Sequence, residues 1–365
     1  MTTIEPMSDS HGDEAPTPLL ARIRRKAAQQ CVPLHAMIEL THRCNLSCRH
    51  CYVVPKSDGN ELSLDDIRRI LDQLADAGCL FLILSGGEPL LREDFLPIAA
   101  YARQKGFAFV LFTNGTRVTA DLAAALFDLC VRRVEISLLG GKPETHDAIT
   151  GVAGSFREAI KGAELLLARS IAVQLKTTWM RPNIEEAPLL ESLAREMGAQ
   201  FRSGHALVPR WDNRPVPADL QVTRSQLTAH VRRQLGGGPY PEPAAVPKER
   251  RKDIIPCGAG RTSCVVDAHG RLLPCVVLRT PVGDLRKGSF QDIWQSSPEL
   301  KHLRSIRLAD LPDCSGCNLF TRCSRCAGIA RLETGSLLNP SRQACNLARL
   351  VANECMQWVA PRCPV

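Results

Sequence analysis

Cys44-Asn45-Leu46-Ser47-Cys48-Arg49-His50-Cys51 puts three thiols within eight residues, directly after the short apolar run Ala36-Met37-Ile38-Glu39-Leu40. Thiolates on one loop at the end of a strand-like segment can converge on a single metal centre. Their number is the informative part. A structural zinc ion takes four protein ligands and an ordinary cubane iron-sulfur cluster takes four thiolates. A lone trio therefore predicts a cluster with one iron open to an outside ligand. The plainer readings are zinc with a distant fourth ligand, or three thiols that merely share a loop.

The chain has 365 residues, enough for one large domain and a smaller one. Its 46 Lys and Arg against 38 Asp and Glu give a formal charge of +8 that is spread out rather than blocked. Such a surplus favours anionic partners only weakly and gives no sign of a nucleic-acid groove. The basic stretches Arg22 to Lys26 and Lys248 to Lys252 read as solvated faces. Sixteen cysteines would suit a disulfide scaffold in a short secreted chain, but no stretch reads as a secretion signal and no apolar run is long enough for a membrane span. A reducing cytoplasm, with no membrane partner, is the expected location.

From Ile38 onward, extended and helical patterns alternate. Ser63 can cap a helix from Leu64 to about Ala77 whose apolar stripe is Leu64, Ile67, Ile70, Leu71 and Leu74. The continuously apolar run Cys79 to Leu84 predicts a parallel strand covered on both faces, and it ends in Ser85-Gly86-Gly87-Glu88-Pro89. Further strands are expected at Phe107 to Phe112, Arg133 to Leu138, Ile171 to Thr178 and Ala199 to Leu207, with helices between them. This predicts an α/β fold, a partial (β/α)6 TIM-like barrel with its functional residues at the C-terminal ends of the strands. The divisions expected are a tail and short helix over 1–34, the barrel over 35–235, a linker or covering loop over 236–253, a small cysteine-rich C-terminal domain over 254–350, and a final segment over 351–365.

At the trio, at Tyr52 after it, and at Gly86-Gly87-Glu88-Pro89, the sequence resembles the radical S-adenosylmethionine (SAM) superfamily. The resemblance implies that Cys44, Cys48 and Cys51 hold a 4Fe-4S cluster whose open iron binds SAM, and that one electron from it yields a 5'-deoxyadenosyl radical. Two glycines let backbone approach the methionine moiety, and Glu88 supplies an acceptor for its ammonium group. Gly86, Gly87, Glu88 and Pro89, with Asn114, Ser137 and Thr177 at later strand ends, are the expected SAM-binding residues. The bland readings of Asn114 and Ser137 are an Asx turn and a strand-end hydroxyl. Asp212, in Arg210-Trp211-Asp212 beyond the sixth strand, is the candidate carboxylate for substrate binding or proton handling. His146 and Asp147 read as structural.

Beyond residue 254 the pattern Cys314-x2-Cys317-x5-Cys323-x2-Cys326, with Cys257, Cys264, Cys275 and Cys345 around it, resembles the SPASM extension of certain radical SAM enzymes. Cys264 to Asp267 and Arg271 to Cys275 look like a hairpin turning at Gly270. By resemblance, Cys257, Cys264, Cys275 and Cys326 hold an inner 4Fe-4S cluster and Cys314, Cys317, Cys323 and Cys345 an outer one, three clusters in all. If Cys264 is instead a buried hairpin thiol, the inner cluster has an open iron. The resemblance implies net oxidation through hydrogen abstraction. The first expectation is a maturase that forms a carbon-carbon or thioether link in a ribosomally made peptide, aided by a separate peptide-recognition protein. The second is a small-molecule oxidase, decarboxylase or epimerase, tetrapyrrole chemistry included, for which several Arg or Lys side chains should point into the barrel. Either needs an external low-potential electron donor such as flavodoxin or ferredoxin.

Overall fold

The computed structural model describes residues 18–54, 60–212, 214–236 and 252–359. The tail before residue 18, most of the expected linker over 236–253 and the last residues of the chain lie outside that set. The apolar runs form strands β1 His35–Glu39, β2 Phe81–Ser85, β3 Ala108–Thr113, β4 Arg133–Ser137, β5 Val173–Thr178 and β6 Gln200–Gly204. All six pair in parallel, in sequence order across the sheet. The helices that return the chain are α2 Leu64–Asp76, α3 Phe95–Gln104, α4 Ala120–Asp128, α5 Pro143–Thr150, α6 Ser155–Ala168, α7 Ala187–Met197 and α8 Arg224–Leu235, after an N-terminal α1, Pro18–Gln30.

α2 forms where its cap and stripe are written. The Ser63 side chain accepts the N–H of Asp66 while Asp66 accepts that of Ser63, and Ile67, Ile70, Leu71 and Leu74 are fully buried. Each such side chain contributes about 1.5 to 3 kcal/mol. The strands alternate strictly. Ala36, Ile38, Leu82, Leu84, Phe109, Leu111, Val134, Ile136, Val173 and Leu175 face the helices in one core. The opposite face, the lumen of the partial barrel, holds a small apolar cluster of Met37, Val265 and Leu273 with Ile83, Phe112 and Val276. It also carries Glu39, Glu135, Ser137 and Lys176 by the same alternation.

The expected hairpin exists, as β7 Ser263–Val266 and β8 Arg271–Leu273, with β9 Gly283–Asp284 beside it. Its placement was not legible in the sequence. β7 pairs in parallel with β1, Ala36 opposite Cys264 and Met37 opposite Val265, so one nine-stranded sheet runs β6-β5-β4-β3-β2-β1-β7-β8-β9. β1 is buried throughout and needs a partner on both edges. The remaining helices are α9 Phe290–Ser296, α10 Pro298–Ser305, α11 Ala327–Thr334 and α12 Arg342–Val359. No helix among the described residues is long and apolar enough to cross a membrane.

Candidate active site

The cysteine loop leaves β1 and is held from two sides. Ser47 and Arg49 donate their N–H groups to the carbonyls of Thr150 and Ile149 at the end of α5 (2.9 Å each). α5, which the sequence reading did not assign as a helix, is thus the shelf under the loop. Asp147 accepts from Gly154 N, Phe156 N and Ser155 Oγ and so starts α6, while His146 Nδ1 accepts the Leu139 N–H at 3.0 Å. Both have framework roles, as the sequence reading held.

From the other side come Gly86 and Gly87. Gly87 N and Glu88 N donate to the carbonyls of Thr41 (2.7 Å) and Arg43 (2.8 Å). A Cβ on Gly86, whose φ is +150°, would sit 2.4 Å from the Thr41 carbonyl oxygen, and one on Gly87 would sit 2.3 Å from that of Arg43. The sequence reading gave these glycines to the ligand; in the structure the backbone they approach is the chain's own, at the root of the cysteine loop.

Glu88 is fully buried. Its carboxylate accepts from Asn114 N (2.8 Å), Thr113 Oγ1 (2.8 Å) and Leu90 N (3.1 Å). Burial still outweighs these donors and pushes its pKa up to about 7. Pro89 starts the short 3-10 turn Pro89–Leu91 that Glu88 caps. Asn114 makes the Asx turn, accepting from Thr116 N at 2.9 Å, and its amide also donates to Asn45 Oδ1 (2.9 Å) and reaches Cys44 Sγ (3.9 Å). It therefore ties the end of β3 to the loop.

Burial raises the Cys44 and Cys51 thiols and pushes Cys48 up to about 12, where the charges of Cys51 and Cys44 add to it. Among the described residues no three His, Cys, Asp or Glu groups converge tightly enough for a single metal ion. These three thiols are the residues that would hold a multi-iron cluster, whose thiolates sit on separate irons.

Beside Cys51 lies a group the sequence reading missed. Glu39, 2% exposed at the end of β1, receives Arg279 from beyond the hairpin at 3.1 to 3.3 Å. Arg279 lies 3.2 Å above the Trp211 ring, and Trp211 packs near Tyr52 and His42 and donates its backbone N–H to the Tyr52 carbonyl (3.0 Å). A glutamate inside an otherwise apolar strand was the available signal. Two further expected residues take the following places. Thr177 shares the helix-facing parity of Val173 and Leu175 and is buried with its hydroxyl unpartnered, so it does not face the lumen. Asp212 commits its oxygens to Arg210 (3.3 Å) and Arg214 in its own loop. Ser137 is exposed on the lumen face.

The C-terminal thiols fall into two groups. Cys275 is pushed up to about 12 by burial and then by the charges of Cys257 and Cys326, and these three line one cavity with Met37, Cys264, Val265 and Arg325. Cys323 is pushed up to about 11 by burial and then by Cys345, Cys314 and Cys317. Cys264 borders the cavity of the first group but stands differently from its members. It is 0% exposed, packs in the helix-facing core with Ala36, and feels Cys79 rather than the trio. Strand parity sets its side chain apart from the expected inner set: Ser263 and Val265 face the lumen side, and Cys264 between them packs toward the core. A roomier cavity of about 480 Å³, lined by Glu191, His205, Arg233 and Leu347, contains none of the thiols.

The model of the Radical SAM superfamily matches residues 38–193, and that of the SPASM iron-sulfur cluster-binding domain matches residues 257–318. The chain is 31% identical over 324 residues to the AdoMet-dependent heme synthase of Methanosarcina barkeri, covering 82% of this chain and 93% of that protein. It is 30% identical over 327 residues to mycofactocin maturase MftC of Mycobacterium tuberculosis, covering 86% and 83%. In fold it is similar to Streptococcus suis SuiB bound to precursor peptide SuiA, with a TM-score of 0.70, 18% identity and coverage of 93% and 83%. With the thiol loop, the Gly-Gly-Glu-Pro turn and the C-terminal cysteine groups in these positions, the chain belongs to the radical SAM superfamily, as an enzyme that carries a C-terminal SPASM iron-sulfur domain and acts through a 5'-deoxyadenosyl radical.

Proposed function

We propose that the chain oxidises a carboxylate-bearing tetrapyrrole, converting propionate side chains of an iron porphyrin to vinyl groups. This places the small-molecule expectation ahead of the peptide one. The observation that carries it is the likeness to the heme synthase through nearly the whole of that protein. Cys44, Cys48 and Cys51 would hold the SAM-binding 4Fe-4S cluster, with Gly86, Gly87, Glu88, Pro89, Asn114 and Ser137 around SAM. Cys257, Cys275 and Cys326 would hold the inner cluster, and Cys314, Cys317, Cys323 and Cys345 the outer one. When bound, SAM and its cluster supply the radical, and the auxiliary clusters supply an electron acceptor.

The atoms balance without a base. A propionate that gives one hydrogen atom to the radical, then loses carbon dioxide and one electron, becomes a vinyl group. No proton leaves the substrate, so no proton-handling Asp212 is required. Glu88 orients the SAM ammonium, and Trp211, held by Arg279 and Tyr52, walls the site beside Cys51.

The likeness to the mycofactocin maturase supports a second reading, in which the substrate is a peptide. Anaerobic, reduced enzyme with SAM separates the two. With iron coproporphyrin III, which carries four propionates, the expected result is one carbon dioxide and one 5'-deoxyadenosine per vinyl group formed. Turnover with a short precursor peptide and none with the porphyrin would overturn the tetrapyrrole reading.

A further inference from the structure

We infer that Arg325 sets the reduction potential of the auxiliary clusters, its guanidinium standing as a fixed positive charge between the inner thiol group and the outer one. The inference rests on the reading of those two thiol groups as iron-sulfur sites. Its first ground is the order Cys323-Ser324-Arg325-Cys326. Cys323 belongs to the outer group and Cys326 to the inner one, and three residues of chain span at most about 11 Å. Arg325 lies on that bridge. It also lines the cavity that Cys257, Cys275 and Cys326 share.

What holds the guanidinium decides what it can do. Arg325 Nε and Nη2 donate to the Asn339 carbonyl at 3.1 and 2.8 Å, and Nη2 also donates to the Leu337 carbonyl. These partners are neutral, so they fix the cation in place without cancelling its charge. The segment that supplies them reaches the outer group, because Leu337 packs against the apolar cluster that contains Cys314. Glu333, whose negative charge is felt at Cys326 and Cys345, gives its oxygens to Arg342 N (2.5 Å) and Gln343 N (3.2 Å) at the start of α12 instead. The field of the arginine extends to both groups. Burial raises the thiols of Cys257 and Cys326 on the inner side and of Cys314 and Cys345 on the outer, and in all four the charge of Arg325 works against that rise.

Loss of a thiol proton and gain of an electron each add one negative charge to the site, so a cation that favours the first favours the second. When the substrate radical closes to product it gives up one electron, and an auxiliary cluster that accepts it becomes more negative by one charge. A cation fixed beside that cluster stabilises the reduced form and raises its potential, which makes it a better acceptor. One arginine shared by two clusters acts on both. The charges felt by Cys44, Cys48 and Cys51 are those of Glu88, Arg210, Glu39 and one another, so the SAM-binding cluster lies outside its influence.

The test uses the full-length enzyme reconstituted anaerobically with its clusters, poised at a series of solution potentials without substrate and read by electron paramagnetic resonance. Arg325→Met should lower the reduced-to-oxidised ratio of the auxiliary clusters at least about tenfold at a fixed potential, a fall of about 59 mV for a one-electron couple. Arg325→Lys, which keeps the charge, should stay within about threefold of the wild type. The SAM-binding cluster should titrate alike in all three proteins. Equal auxiliary potentials in wild type and Arg325→Met overturn the inference while leaving the clusters themselves in place. An equal fall in the Met and Lys variants, or loss of auxiliary iron from either, assigns the side chain to holding the segment 337–339 and also overturns it. A wild type that reconstitutes with only about four irons overturns the reading of the two thiol groups and the inference with it.

Discussion

Two groups of thiols in this enzyme are built in opposite ways. Cys44, Cys48 and Cys51 come from one loop between β1 and α2, held by hydrogen bonds to the end of α5 and by two glycines pressed against residues 41 to 43. Cys257, Cys275 and Cys326 come from a turn before β7, the segment after β8 and the start of α11. The first set needs one loop to be seated between α5 and the Gly86-Gly87 turn. The second needs the parallel pairing of β7 with β1, the hairpin and the docking of α11 all at once. A local trio can be recognised by spacing, whereas a dispersed trio is defined only by which faces the strands present.

The sharpest way to test this contrast is to remove one thiol from each set. Cys48→Ala should abolish 5'-deoxyadenosine formation and remove about four irons from a total of about twelve in the anaerobically reconstituted protein. Cys275→Ala should also remove about four irons but keep SAM cleavage, losing only the oxidised product. Iron analysis and product quantitation read both. Loss of SAM cleavage in Cys275→Ala would show that the two sets are not independent.

A smaller effect is expected at Glu88. Glu88→Gln should weaken SAM binding by about 1.5 to 3 kcal/mol, the worth of a hydrogen bond to a charged group. A carboxyl held at about 7 in the fold and near 4.5 when unfolded binds its proton more tightly in the folded state. Its contribution therefore favours the SAM-free fold below about 4.5 and is lost as pH rises through about 7. SAM affinity should run the other way, rising through that same interval as Glu88 ionises and pairs with the ammonium. A calorimetric titration that finds the same slope in Glu88→Gln would remove Glu88 from the SAM site.

Cys264→Ala is expected to do less. Iron content and product should be retained, and the deletion of one buried sulfur should cost about 1 kcal/mol of stability. A loss of four irons in this variant would restore Cys264 to the inner set. Least of all is expected from Asp212→Asn, since its oxygens already serve Arg210 and Arg214 in a partly exposed loop. Turnover should stay within a few-fold of wild type, and a collapse in the steady-state rate would return Asp212 to the chemistry.

The sequence by itself determined what depends on neighbours along the chain. The eight-residue thiol loop, the Gly-Gly-Glu-Pro turn, the capped α2 and the alternation of strand and helix are all contiguous patterns, and the α/β partial barrel follows from them. The cysteines of the C-terminal region were also countable. Tertiary structure decided which of them point the same way. The direction of Cys264 and Thr177 was hidden for one reason: a strand turns alternate side chains to opposite faces, and only the register of pairing with β1 or β4 says which face is the lumen. Contacts across long separations were equally hidden. Glu39 meets Arg279 at a separation of 240 residues, and Lys176 stands beside Arg202 only because β5 and β6 pair at that register. Spacing fixes chemistry within a loop, but side-chain direction and charge pairing between distant segments are set by packing the sheet as a whole.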